Sequence, residues 1–170
     1  MAVRARDFFN INGFDSDFFA HMEEIDLCWR WKNSGKSILY CSESTVYHVG
    51  GGTLDYRSPK KVFLNYRNNL YMIHKNYKGS YPLYLIILIR LFLDQISGFR
   101  FVIKGKLNPF FQIYLAHLNY LKNISKIQSK RKNYPKLPFE KMRGVINKFL
   151  IWEYFIKNNR IFSKIYQHEA

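Results

Sequence analysis

Residues 18–30 of this 170-residue chain read FFAHMEEIDLCWR, and their three carboxylates fix where a helix begins. A helix start leaves N–H groups unpaired and carries a partial positive charge, so acids are favourable there. Glu23 and Glu24 therefore open the helix, Asp26 falls on its first turn, and Arg30 lies one turn beyond as its i,i+4 ion partner. On structural grounds that reading is complete: two first-turn acids and one supporting pair. A chemical reading stands beside it, because carboxylates that converge next to an aromatic run also suit proton transfer.

Downstream, the β-branched and aromatic run Thr45-Val46-Tyr47 predicts a strand ending at His48, with Gly50-Gly51-Gly52 behind it. An imidazole at a strand end beside a flexible turn either caps the turn or completes a metal site whose other ligands come from elsewhere. The glycines permit positive φ and close backbone approach to phosphate, although they spell neither a Walker nor a dinucleotide pattern.

Taken together, residues 13–53, GFDSDFFAHMEEIDLCWRWKNSGKSILYCSESTVYHVGGGT, resemble the C-terminal half of the catalytic domain of family 2 glycosyltransferases. The similarity is strongest to the rhamnosyltransferase-like bacterial members. In that family an acidic pair follows an aromatic run, x-Asp-Leu-x-x-Arg comes next, and a strand then ends in a histidine ahead of a glycine cluster. The matching elements here are Glu23-Glu24, Ile25-Asp26-Leu27-Cys28-Trp29-Arg30 and Val46-Tyr47-His48-Val49-Gly50-Gly51-Gly52. The resemblance implies an α/β fold, the C-terminal half of a GT-A domain with a few short strands and helices. It implies inverting sugar transfer, in which a base takes a proton from the acceptor hydroxyl as that oxygen attacks the anomeric carbon.

The family's base maps onto Glu24, where most relatives carry Asp, so this side chain reaches one methylene further. Glu23 and Asp26 become orienting acids. Trp29, Arg30, Gly50, Gly51, Gly52 and Arg67 become substrate-binding candidates, with Trp29 equally readable as core. Arg67 lies in Tyr66-Arg67-Asn68-Asn69, similar to an Arg-Asn pair that recurs after the family's glycine loop; it either meets donor phosphate or braces a loop. His48 is placed next to a divalent cation, Mg2+ or Mn2+, on the diphosphate. The implied partners are a nucleotide-sugar donor and a lipid-linked or glycan acceptor.

The family binds its donor with an N-terminal βαβ half ending in an Asp-x-Asp metal motif, and nothing upstream of residue 13 supplies one. Asp15-Ser16-Asp17 spells the motif but lies in a turn on the acceptor side, and reads as a false match. Met1 to Phe9 resembles an internal strand and short helix, so the chain is expected to be a C-terminal fragment or truncated gene product. The DNA upstream is then expected to encode the missing βαβ segments.

Charge divides the chain. Residues 1–56 carry 5 basic and 8 acidic residues, a net −3, whereas residues 57–170 carry 22 and 4, a net +18. Three segments follow: 1–56 as the acceptor side of the catalytic domain, 57–80 as a closing helix, and 81–170 as a basic amphipathic tail. Ser58 and Pro59 suit an N-cap and first helical residue, and Val62, Phe63, Tyr66, Leu70 and Ile73 form one apolar stripe. The apolar core of the tail, Leu83 to Leu93, is 11 residues long and broken by Arg90. It falls short of the ~20 residues a spanning helix needs, so an interfacial helix is expected. Pro109 to Lys132 is amphipathic and ends in Lys130-Arg131-Lys132, a cluster suited to anionic lipid; Lys148 to Lys164 alternates aromatic and basic residues.

Cys28 and Cys41 are too few for a disulfide scaffold and suggest a reducing compartment, and no apolar signal segment opens the chain. The expected location is cytoplasmic, peripheral to the inner face of the plasma membrane. Two alternatives compete with the transferase: a catalytically silent remnant of one, and a basic nucleic-acid-binding module. The last leaves FFAHMEEIDLCWR unexplained, and no nucleic-acid partner is expected.

Overall fold

Pro59 locks φ for a first helical turn and has no N–H to lose, so the longest polar helix starts where the sequence expects. In the computed structural model, which describes residues 1–47, 58–145, 148 and 150–161, this helix runs Pro59–Asn76. Ser58 occupies the cap position without a capping bond from its side chain. The elements in chain order are α1 (Ala5–Asn10), a 3-10 turn (Ser16–Phe18), α2 (Glu23–Asn33), α3 (Pro59–Asn76), α4 (Leu83–Ile103), α5 (Leu107–Lys122) and α6 (Ile124–Lys132). A second 3-10 turn (Phe139–Lys141) and α7 (Leu150–Phe155) follow.

The α/β expectation is corrected: among the described residues the fold is helical and contains no strand. Thr45-Val46-Tyr47 is irregular, with Tyr47 95% exposed, because no neighbouring segment offers the N–H and C=O groups a ladder needs. Met1–Phe9 contributes only α1, with residues 1–4 irregular and exposed.

α3 is the centre, packed against α2, α4, α5 and α6. The main core joins Phe18 of the 3-10 turn, Leu70, Tyr71 and Met72 of α3, Ile87 of α4, Tyr120 of α5 and Ile127 of α6. A second cluster of Ile11, Leu27 and Trp31 fixes α1 against α2. The predicted stripe on α3 is only partly right. Leu70 is buried, but Val62, Phe63 and Tyr66 are half-exposed, and the deepest positions include Leu64, Asn68, Lys75 and Asn76. A helix enclosed on several sides cannot confine its burial to one stripe, so its polar residues must find partners inside.

α4 and α5 form an antiparallel hairpin in which Phe110 packs over Gly98 and Phe99. A Cβ on Gly98 would lie 3.1 Å from the Phe110 ring, so glycine sets how closely the helices approach. The turn closes with Gly105 at φ +69, its N–H bonded to Val102 O and that of Lys106 to Phe101 O, a Schellman motif. Inside the hairpin Asp94 is 1% exposed and bonds Arg90 (2.7 Å) and His117 (3.1 Å). Among the described residues no helix is long and apolar enough to cross a membrane.

Candidate functional site

The loop before α2 carries a run of strained backbone. Asn12, Phe19, His21 and Met22 have φ of +60, +63, +68 and +70, values that L side chains seldom adopt. Each costs on the order of 1–3 kcal/mol and persists only where the surroundings over-determine it. For the stretch from Asp17 to His21 those surroundings come from α3. Asn68 is fully buried, and its Nδ2 donates to Phe18 O (2.9 Å), Ala20 O (2.8 Å) and His21 O (2.8 Å). Arg67 Nη2 donates to Asp17 O (2.8 Å) and Phe18 O (3.2 Å) while its guanidinium lies over Phe63 and Tyr71. Of the two roles open to Arg67, the structure gives it loop bracing, on the 17–18 turn.

Removing the central donor takes the side-chain partner from Ala20 O and His21 O, while Phe18 O keeps Arg67 and the Ala20 N–H. Asn68→Ala should therefore destabilise the fold by about 2–3 kcal/mol in urea titrations and speed amide exchange across residues 18–22 first.

Behind the loop lies a buried charge network. Asp26 is 0% exposed; its Oδ2 accepts from Arg30 Nε (2.8 Å) and Lys75 Nζ (2.8 Å), and its Oδ1 from Asn76 Nδ2 (2.7 Å). The predicted i,i+4 pair exists, but in the interior. Arg30 also donates to Ile11 O and to Gly13 O (2.7 Å), so its nitrogens hold the loop and, at 1% exposure, it does not meet solvent. As a substrate-binding candidate it is thereby corrected to a structural residue. Asp26, expected as an orienting acid, has both oxygens occupied within the protein and none left for an acceptor hydroxyl.

Lys75 carries the network on to Asp15 Oδ2 (2.7 Å), Lys130 joins Asp15 to Asp17 Oδ2 (2.7 Å), and Lys126 reaches Asp17 Oδ1 (2.7 Å). The acidic N-terminal segment thus docks on the basic tail, and Arg131 is tied to His74 O (2.8 Å). Two residues of the Lys130-Arg131-Lys132 cluster are therefore committed within the protein, which removes them as the expected lipid patch.

Burial alone would raise the carboxyl pKa of Asp15, but hydrogen bonds from Lys130 and Lys75 outweigh it and hold the pKa at about 2, below the ordinary 3.8. A depressed folded-state pKa contributes stability above the unfolded value and loses it as pH falls through the folded one. Stability should thus drop by about 2 kcal/mol between roughly pH 4 and pH 2, and Asp15→Asn should lower stability at neutral pH and flatten that slope in urea titrations.

Against this frame, Glu24 is exposed at the first turn of α2, while Glu23 is half-buried with Oε2 lacking a protein partner. Neither makes a helix cap; Met22 occupies that position with left-handed backbone. Trp29, two turns on, stacks near Phe139 (6.1 Å between centroids) and lines an apolar cavity of about 220 Å³ with Ile25, Cys28, Lys32 and Met142. That placement favours its packing role. His48, Gly50, Gly51 and Gly52 lie outside the described residues.

Among the described residues no three His, Cys, Asp or Glu side chains converge as metal ligands, and the oxygens of Asp15 and Asp17 face lysines. The described residues therefore do not form the divalent-cation site that the resemblance implies.

The sequence reading passed over Asn68 as a pin, and Lys75, Asn76 and His74 altogether. Burial pushes the His74 imidazole below its ordinary 6.5, and Tyr120 and Gln128 occupy its two ring nitrogens (2.7 and 2.9 Å). One signal was present: Asn68 and Lys75 stand seven residues apart, on one side of α3. No family model matches the chain, and neither a curated protein nor a solved structure matches it significantly.

Proposed function

We propose that this chain is the acceptor-side part of an inverting glycosyltransferase for surface-polysaccharide synthesis. It moves a sugar from a nucleotide-sugar to a lipid-linked or polysaccharide acceptor at the inner face of the plasma membrane. The observation that supports it is an exposed acid on an over-determined loop. Glu24 stands free at the head of α2, directly after backbone held strained at Phe19, His21 and Met22 by Asn68. Strain maintained by dedicated buried partners is a mark of a preorganised site, and a purely structural helix start does not need it.

In the reaction Glu24 takes the acceptor hydroxyl proton as that oxygen attacks the anomeric carbon from the face opposite the diphosphate. The new C–O bond forms as the bond to the nucleoside diphosphate breaks, and the configuration inverts. Glu23, half-buried beside it, is the orienting acid of this reading. A divalent cation enters this reading through His48 alone.

The test is transfer from nucleotide-sugars by a protein joining this chain to a donor-binding half, with the anomeric configuration of the product read by NMR. A product of inverted configuration is expected. A retained configuration rejects the mechanism, and no transfer or donor turnover with any nucleotide-sugar leaves the silent-remnant reading.

A further inference from the structure

We infer that the tip of the α4–α5 hairpin is the surface that docks on an anionic lipid bilayer, an inference that rests on the membrane-surface part of the proposed function. The two helices bury Ile87, Asp94 and Gly98 on one side and Ile113, Ala116 and His117 on the other. Their remaining face is apolar and uncovered. Phe92, Ile96, Phe99 and Ile103 continue it along α4 to the turn, where Leu107 and Phe111 carry it onto α5. At the turn itself Phe99, Ile103, Leu107 and Phe111 are 60, 85, 56 and 56% exposed.

Charge selects the occupant. Arg100, Lys104 and Lys106 are exposed among these side chains, and residues 95–121 around the turn hold no acid. The nearest acid, Asp94, is buried against Arg90 and His117, so it does not offset that field. A protein partner would ordinarily face a rim of mixed sign. A wholly basic rim around an apolar tip instead matches phosphate headgroups above an acyl layer. Unlike Lys130 and Arg131, these three cations are not spent on the fold. The depth is shallow, because Arg90 and Asp94 lie midway along α4 and no described helix can cross. The tip side chains enter the acyl boundary while the lysines stay at the headgroups.

The experiment is co-sedimentation with vesicles of phosphatidylcholine alone and of phosphatidylcholine mixed with phosphatidylglycerol. The intact chain is compared with Ile103→Ser/Phe111→Ser and Lys104→Glu/Lys106→Glu, each checked for native helicity by circular dichroism. The wild type should prefer the anionic vesicles, and the apolar pair should lose about tenfold or more in partitioning. The charge reversal should lose a similar factor, and added salt should weaken the wild type only in part. Substituting exposed residues leaves the core untouched, and the charge variant still decides the matter should the apolar one misfold.

If the wild type prefers anionic vesicles but both variants bind as well as it does, the hairpin is overturned and membrane binding through another surface stands. If the wild type shows no preference, the membrane reading falls with it, while glycosyl transfer is untouched by either result. Self-association abolished by Ile103→Ser/Phe111→Ser, without vesicle binding, would assign the face to a second copy and overturn the proposal. Duplex or single-stranded nucleic-acid binding at physiological salt, without vesicle preference, would do the same.

Discussion

Glu24→Gln is expected to lower sugar-transfer turnover by ~10²–10⁴-fold, the usual contribution of a positioned base. The amide keeps the size of the side chain and its place at the head of α2, where Glu24 is exposed and makes no bond that the fold needs. Stability should therefore stay within about 0.5 kcal/mol of wild type, as for other surface substitutions. On the proposed function the base faces the acceptor, so nucleotide-sugar affinity should barely change and the loss should appear in kcat. Glu24→Asp supplies a second arm. It keeps a carboxylate but shortens the reach, so it should retain a large part of the activity that glutamine removes. Near-normal turnover in the glutamine variant would move the base elsewhere, with Glu23 the next acid to examine.

Asp26→Ala should have the largest effect on folding, a loss of about 3–5 kcal/mol. The carboxylate is the common acceptor for Arg30, Lys75 and Asn76, and its removal leaves Arg30 buried without a counter-charge and Lys75 with Asp15 alone. Against a total stability of about 5–15 kcal/mol, much of the population would unfold. The contrast is Lys36→Ala, which breaks the 2.9 Å pair with Asp7 on a side chain 53% exposed. There solvent screens the pair, and the change should be small beside that of Asp26→Ala. Urea titration of both variants reads the difference directly. Equal losses would mean that the interior network is no more important than a surface pair. Asp26→Asn keeps the shape and removes the charge, and should fall between the two.

The two predictions separate roles that the motif alone runs together. In FFAHMEEIDLCWR the three acids look equivalent, yet Glu24 faces solvent, Glu23 is half-buried and Asp26 lies wholly inside. Periodicity locates each on the helix but does not reveal what covers it. Asp26 became a keystone because Lys75, 49 residues away in the chain, arrives on the same oxygen. Asp15 and Asp17 show the same rule at longer range, since Lys130 meets Asp15 across 115 residues. The Asp-x-Asp spelling is visible in the sequence, whereas the lysines that occupy it are not.

Local chemistry by itself determined where α2 and α3 begin, the Asp26–Arg30 pairing, and the inability of the Leu83–Leu93 run to span a bilayer. Each of these depends on residues within a few turns of one another, where backbone geometry dictates the neighbours. Only the tertiary structure decided that Thr45-Val46-Tyr47 forms no strand, because a ladder needs a partner from elsewhere in the chain. It also decided which cations are spent on Asp15, Asp17 and Asp26, and which remain at the hairpin tip. Composition states how much charge a chain carries. Which charges face each other is settled when the helices close around α3 and bring distant carboxylates and lysines to one place.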